Sequence, residues 1–413
     1  RFSTHFNWFD HIRISIKYSR IFPASVSLFR NPYYNPGSLW FPSPRDAGDP
    51  KLTLPPTCAM FGRLVYRTVL SCFRLTMFVL PSVLRVLIAF LQLFVLILVV
   101  LFDWLVWSLN YWVPKKRERP KILTDQSFGT HHFVDLSGKT RLHYVSNDCR
   151  DRPLLLFLHG FPGCWYSWRY QLADFREHYW TVAVDLKGFG DSSKPLEVSE
   201  YSSKVLVEEL YSLVECLGAS KCILVCHGEG GFIGWQFVER YPLLVSCFIP
   251  IGCPHYESRN SLAAWDSITS CYMELLWIPC LGEEYLKTND LMFVNKMRNA
   301  HPSRVRSGIK ISDIGLYKYV MNQPGTLTCY LNYYRSNPGL YRGGVVFQSK
   351  VLEVPVLMIC GSDDPDVDRA AESTHYVVDF TLEVVDKVNK FVHENAHEEV
   401  NQLIRDYLRK NSF

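Results

Sequence analysis

The sequence of 413 residues has none of the patterns that mark a metal site or a nucleic-acid-binding surface. Its 13 cysteines form no Cys-x-x-Cys pair and no cysteine–histidine cluster with zinc spacing. No block of lysines and arginines is interleaved with aromatic residues, and the formal net charge is only +4. We therefore expect no metal ion and no nucleic-acid partner.

Signals of a secreted, disulfide-bonded protein are also missing. Eleven cysteines follow residue 113, and this odd number cannot pair completely within the chain. The sequence contains no Asn-x-Ser/Thr site for N-glycosylation. Both observations favour free thiols in a reducing compartment.

Residues 1–59 lack sustained hydrophobic periodicity. Turn-forming pairs such as Asn31-Pro32 and Pro55-Pro56 recur there. We interpret this stretch as a disordered leader or as upstream sequence translated in error, and Met60 as the candidate start of the protein.

Residues 60–113 are predicted to form an N-terminal membrane anchor. A run over residues 86–102 is interrupted only by Gln92, and the span of about 86–107 is long enough to cross a bilayer. Tryptophans typical of a membrane interface accompany it, namely Trp104, Trp107 and Trp112. The alternative is a buried core helix, which would normally carry more polar residues on one side.

The basic residues on either side of the span indicate its orientation. Five lysines and arginines lie in the basic linker, residues 114–130, against four in the part of the anchor before the span. This small excess favours a cytosolic globular domain. We expect a single-pass protein held in a lipid bilayer, that of the endoplasmic reticulum.

The rest of the chain alternates between apolar runs of strand length and amphipathic helices. The expected strands are residues 132–136, 141–145, 154–158, 180–184, 221–225, 245–252, 354–361 and 381–385. This alternation predicts an α/β fold with a mostly parallel central sheet and helices on both faces. We assign the core to residues 131–254 and 346–413. The aromatic-rich residues 255–345 between them are predicted to form an inserted helical cap above the strand ends.

Residues 221–237 combine a strand, a tight turn of small residues and a helix with an apolar face. This arrangement is typical of a nucleophile elbow, which carries its attacking side chain at the centre of the turn. The centre here is Gly228, so the sequence has the scaffold of the elbow without an attacking atom.

Three further motifs occur in order, namely His159-Gly160-Phe161-Pro162, Trp165 to Leu172 and Asp185 to Ser192. Together with the elbow, they resemble the epoxide-hydrolase branch of the α/β-hydrolases over about residues 125–410. With the predicted anchor, the sequence is most similar to the membrane-anchored animal enzymes of the type-3/type-4 kind.

This resemblance implies a two-step reaction that needs water but no cofactor. In the family, an elbow aspartate opens the epoxide to form an ester, and a histidine oriented by an acid activates water to hydrolyse that ester. Two cap tyrosines hydrogen-bond the epoxide oxygen, and backbone N–H groups hold the oxyanion. The expected ligand is a hydrophobic epoxide or a lipid-like small molecule.

Several family positions are matched. The resemblance places the tyrosine donors at Tyr272 and Tyr334, the orienting acid at Asp364, and the oxyanion N–H groups at Phe161 and Glu229. The alternatives are tyrosines that pack in the cap core and an aspartate that caps a turn.

Two positions depart from the family pattern. Gly228 stands where the resemblance implies the aspartate nucleophile, and Lys390 stands where it implies the histidine base. Glycine is expected to relax the strained elbow backbone. The ammonium of Lys390 is expected to pair with Asp364 and to be a poor base.

Other residues are poorly placed to replace the lost groups. Glu229 lies one position late, so its side chain is expected to point elsewhere, although a displaced nucleophile stays open. His393 is expected to begin a solvent-facing turn.

Three interpretations of the protein remain. The first is an impaired epoxide-hydrolase-like protein with a retained, capped apolar pocket, the second an active epoxide or ester hydrolase with rearranged groups, and the third a structural membrane protein.

Overall fold

The computed structural model describes residues 114–136, 140–260, 276–298, 311–338 and 351–413, with ten isolated positions between Thr68 and Leu101. Within these ranges, no helix combines the length and the apolar character needed to cross a membrane. Residues 1–59 and most of the predicted span lie outside the described residues. The leader and the anchor therefore stay predictions.

The core of the described part is an eight-stranded sheet. The strands are β1 (Thr130–Asp135), β2 (Arg141–Ser146), β3 (Leu154–Leu158), β4 (Trp180–Val184), β5 (Cys222–His227), β6 (Val245–Ile251), β7 (Val356–Gly361) and β8 (Phe380–Val385). Their order is β1-β2-β4-β3-β5-β6-β7-β8. The β1–β2 and β2–β4 pairs are antiparallel, and the remaining neighbours are parallel. The predicted, mostly parallel sheet is therefore confirmed.

Helices flank this sheet, and three of the described helices lie in the insertion between β6 and β7. We number the described helices α1 (Arg169–Phe175), α2 (Ser203–Leu217), α3 (Glu229–Arg240), α4 (Leu281–Arg298), α5 (Ile311–Met321), α6 (Thr326–Ser336), α7 (Val367–Glu372), α8 (Val392–Asn395) and α9 (His397–Lys410). Helix α4 changes direction at residues 288–291, where the backbone leaves the helical conformation.

The continuous apolar runs of the sequence form the interior strands of the sheet. Every residue of β3 and β4 is buried, as expected for parallel strands covered on both faces. The edge strand β1 instead contains only exposed and partly buried residues. The ten described cysteines are all free thiols.

Helix α6 of the insertion lies over the carboxyl ends of two parallel strands. The Tyr333 hydroxyl donates a hydrogen bond to the carbonyl oxygen of Lys187, just after β4, at 2.8 Å. The Tyr334 hydroxyl donates to the carboxylate of Glu229, just after β5, at 2.9 Å. Ligands of α/β sheets bind at this edge, so α6 covers the place where a site is expected.

A buried ion cluster joins the insertion to the core. The Glu394 carboxylate on α8 is fully buried and accepts hydrogen bonds from Arg169, Arg298 and the hydroxyl of Tyr317. Arg169 also pairs with Asp313 at 3.1 Å. Burial alone would raise the pKa of the Glu394 carboxyl, but Arg298 and Arg169 outweigh burial and hold its pKa at about 2.

We expect Glu394→Gln to destabilise the domain by about 3–5 kcal/mol at pH 7, because it leaves two buried guanidinium groups without their shared counter-charge. The carboxyl pKa is depressed in the folded state, so its contribution is present above the ordinary value of 4.5 and lost as the pH falls towards 2. Urea unfolding of both proteins between pH 2 and 7 measures this difference.

The matched control is Glu353→Gln, which removes an exposed carboxylate. It should change the free energy of unfolding by less than about 0.5 kcal/mol. Equal stabilities of wild type and Glu394→Gln at pH 7 would show that the cluster does not hold the insertion in place.

Candidate active site

The elbow backbone is formed around Gly228, between the end of β5 at His227 and the start of α3 at Glu229. Gly228 has φ 51° and ψ −118°, a conformation that side chains rarely adopt. A Cβ atom placed on it would lie 3.2 Å from Gly160 Cα and 3.8 Å from the backbone nitrogen of Phe161. The elbow therefore keeps the conformation that presents a side chain towards the His-Gly-Phe-Pro loop.

The carboxylate of Glu229 reaches this loop, which contradicts the expectation that it points elsewhere. Its Oε2 accepts a hydrogen bond from the Phe161 backbone N–H at 2.6 Å, and its Oε1 accepts one from the Tyr334 hydroxyl at 2.9 Å. Because Gly228 has no side chain, the Glu229 side chain can turn back over the elbow. Two donors that the resemblance assigns to substrate and oxyanion thus hold one carboxylate.

The tyrosine pair is described only in part. Tyr334 is in place beside Glu229, whereas Tyr272 lies outside the described residues, so both assignments stay predictions. The sequence reasoning missed Tyr330, whose hydroxyl lies 3.0 Å from the Tyr334 hydroxyl. The available signal was the i, i+4 spacing, which puts both tyrosines on one face of α6.

Aromatic rings cover the loop that carries the Phe161 N–H. The Phe161 ring stacks on Tyr330 with centroids 3.4 Å apart and on Phe293 with centroids 5.1 Å apart. Both partners come from the insertion. The retained apolar pocket stays a prediction.

The two positions that the resemblance assigns to the orienting acid and the base lie side by side. Asp364 follows β7, is buried, and accepts a hydrogen bond from the backbone N–H of Asp366 at 3.0 Å. The Lys390 ammonium donates to Asp366 Oδ2 at 2.9 Å. A Cβ atom on Gly252 would lie 3.1 Å from both Asp364 Oδ2 and Lys390 Cγ. The sequence reasoning missed Asp366 as a partner of Lys390, and the Lys390–Asp364 pair stays a prediction.

His393 does not face solvent, so this expectation is wrong. Its side chain is fully buried on α8, with ring centroids 4.6 Å from Trp168 and 4.4 Å from His227. Burial lowers the pKa of His393 to about 3 and that of His227 well below 6.5. Both imidazoles are therefore neutral at pH 7, and among the described residues neither ring nitrogen of His393 has a hydrogen-bond partner.

Known proteins with similar sequences identify the family to which this fold belongs. The sequence profile of the alpha/beta hydrolase fold matches residues 153–381. Epoxide hydrolase 3 of Xenopus tropicalis is 32% identical over 309 residues, which cover 72% of this chain and 83% of that protein. The chain belongs to the epoxide hydrolase family. Epoxide hydrolase 4 of Homo sapiens, another relative, is 31% identical over 325 residues, covering 74% of this chain and 88% of that protein.

A solved structure of the family has the same fold. The crystal structure of Bacillus megaterium epoxide hydrolase in complex with an inhibitor has a TM-score of 0.59 and 27% identity to this chain. The match covers 67% of this chain and all of that one.

The elbow conformation predicts a difference between two glycines. Gly228→Ala should destabilise the domain by about 1–3 kcal/mol, because alanine is strained at a positive φ and its Cβ would lie 3.2 Å from Gly160 Cα. Gly315→Ala is the control, since that glycine lies in α5 with open space around it. This control should be neutral or up to about 1 kcal/mol more stable. Thermal unfolding of both variants tests the difference, and equal effects would contradict it.

Proposed function

We propose that this protein is a catalytically impaired, membrane-anchored epoxide hydrolase homologue that binds a hydrophobic epoxide or lipid-like molecule under its cap. One observation carries the impairment. Lys390 occupies the position that the family resemblance assigns to the base, and its ammonium is held by Asp366 at 2.9 Å. An ion-paired ammonium has no lone pair with which to accept a proton from water.

The proposed ligand binding is supported by two hydrogen-bond donors at the family positions. The Phe161 N–H and the Tyr334 hydroxyl point at one shared carboxylate, so they converge on a single small region. Aromatic rings of Tyr330 and Phe293 flank this region. Few polar groups in an aromatic setting are typical of a site for an apolar molecule with one oxygen function.

A second candidate is an active hydrolase with rearranged groups. It is favoured by the Glu229 carboxylate, which lies within hydrogen-bonding distance of the Tyr334 hydroxyl. An active hydrolase also needs a base that activates water. The buried imidazole of His393 is a weak base, because its pKa is lowered to about 3, and this argues against the second candidate. We therefore rank impaired hydrolysis first.

The anchor is supported by the sequence and by exposure. Large apolar side chains are exposed at the described helical positions of the predicted span, namely Leu87, Phe90, Leu91, Phe94, Val95, Ile97, Leu98 and Leu101. Exposed apolar side chains in such a run are favourable in lipid and costly in water. We propose a single-pass anchor with the α/β domain on the cytosolic side of the endoplasmic reticulum.

A measurement of diol formation from an epoxide tests the proposed impairment. Purified full-length protein incubated with a fatty-acid epoxide should bind the epoxide but form no more diol than the heat-inactivated protein. The physical reason is that the ion-paired ammonium of Lys390, at the position of the family base, cannot activate water against an ester intermediate. Diol yields that exceed the amount of protein several-fold would refute the impairment and favour the second candidate.

A gain-of-function variant serves as the positive control. Gly228→Asp with Lys390→His restores both family side chains, and Glu229→Ala removes the carboxylate that would compete for the Phe161 N–H. This triple variant should form diol roughly 10²-fold faster than the background rate measured with heat-inactivated protein. If the variant is silent and the wild type binds no epoxide, the structural interpretation replaces the proposal.

Membrane extraction tests the anchor. The full chain should stay in the membrane pellet at alkaline pH, and deletion of residues 60–113 should move it to the supernatant, because the apolar span is lost. Deletion of residues 1–59 is the control and should leave the protein in the pellet. Full extraction of the intact chain would exclude a spanning anchor.

A further inference from the structure

We propose that Glu229 is a relocated nucleophile, which opens one epoxide molecule and keeps it as a stable ester, so that the protein captures epoxides stoichiometrically. The inference rests on the proposed function and goes beyond it, because it gives the impaired protein a covalent activity. It starts from the two hydrogen bonds that hold the Glu229 carboxylate.

The two carboxylate oxygens have different environments that suit different roles. Oε2 lies in the oxyanion position, 2.6 Å from the Phe161 backbone nitrogen. Oε1 faces the Tyr334 hydroxyl at 2.9 Å. In an ester of Glu229, Oε2 would be the carbonyl oxygen, which the Phe161 N–H holds, and Oε1 would be bonded to the captured molecule. An epoxide that separates Oε1 from the hydroxyl lies between a nucleophile and a proton donor.

The elbow provides the space for this relocation. A Cβ atom on Gly228 would point towards the Phe161 nitrogen, 3.8 Å away. That is the place where a short side chain at the elbow centre would put its carboxylate. Glutamate has one methylene more than aspartate, and this length lets Glu229 reach the same N–H from one residue further along the chain. The start of helix α3 also favours a negative charge at Glu229.

The chemical step balances without a further reactant. Glu229 Oε1 forms a bond to one epoxide carbon, and the bond between that carbon and the ring oxygen breaks. The electron pair remains on the ring oxygen, which takes the proton of the Tyr334 hydroxyl. The products are a hydroxyalkyl ester of Glu229 and a phenolate. The phenolate regains a proton from water through the Tyr330 hydroxyl, 3.0 Å away.

The ester would persist because its hydrolysis needs a base. Lys390 is a protonated partner of Asp366. The imidazoles of His227 and His393 are neutral but bind protons weakly, because burial lowers their pKa values. Opening a strained ring needs only a nucleophile and a proton donor, whereas hydrolysis of an ester at neutral pH depends on an activated water.

Intact-protein mass spectrometry tests the capture. The full chain in detergent is incubated with styrene oxide and should gain the mass of one molecule with saturable kinetics. Peptide mapping should place the added mass on Glu229. Alkaline hydroxylamine should remove it from the denatured protein, because carboxylate esters are cleaved under these conditions and the thioethers formed at exposed Cys216 and Cys280 are not.

Three variants make the test specific. Glu229→Gln keeps the shape but loses the nucleophile, so hydroxylamine-labile labelling should fall more than 10-fold. Tyr334→Phe removes the proton donor and should slow labelling roughly 10²-fold. Glu177→Gln removes an exposed glutamate and should label like the wild type. If Glu229→Gln does not fold, Tyr334→Phe and the mapped peptide of the wild type decide the question.

The outcomes separate this inference from the proposed function. Binding of the epoxide without a labile adduct overturns the capture and leaves impaired hydrolysis standing. Catalytic diol formation overturns the impairment, and loss of that diol in Glu229→Gln would identify the same nucleophile in a full enzyme. A labile adduct that persists unchanged in Glu229→Gln refutes the role of Glu229.

Discussion

The loop after β3 and the elbow after β5 approach each other so closely that glycine is required on the loop side. A Cβ atom on Gly160 would lie 2.9 Å from the carbonyl oxygen of His227 and 3.0 Å from Gly228 Cα. This close approach brings the Phe161 N–H to the elbow, within 2.6 Å of the Glu229 carboxylate. The arrangement of donors at the site therefore depends on backbone packing between two parallel strands that lie side by side in the sheet, and it does not need the family nucleophile.

Gly228 and Glu229 are best understood together. Gly228 stands at the elbow centre, where the family resemblance implies an aspartate nucleophile. In the structure, the carboxylate of the next residue accepts hydrogen bonds from the Phe161 N–H and the Tyr334 hydroxyl. A glutamate in that place would compete with an aspartate at position 228 for the same donors, and two carboxylates sharing them would repel. Glu229 can therefore occupy this position while residue 228 is glycine, but it would conflict with an aspartate introduced by Gly228→Asp alone.

The sequence was sufficient for the sheet but not for the directions of several side chains. Continuous apolar runs such as Leu154–Leu158 predict buried strands, because a strand covered on both faces needs no polar residues. The direction of Glu229 depended on the space at Gly228 and on a donor from α6, which are far apart in the chain. His393 was misjudged for a similar reason, since Trp168 from another element covers it. Local patterns carry no information about such distant partners.

The buried ion cluster links the cap to the chemistry of the site. Arg298 on α4 donates from Nε to the carbonyl oxygen of Pro162 at 3.1 Å, directly after Phe161 in the chain. The same guanidinium pairs with Glu394, four residues after Lys390. One residue of the insertion thus holds both the loop that presents the Phe161 N–H and the segment that follows Lys390. Because Arg298, Glu394 and Pro162 are all buried, they form one polar network, and the position of the Phe161 N–H depends on that of α4.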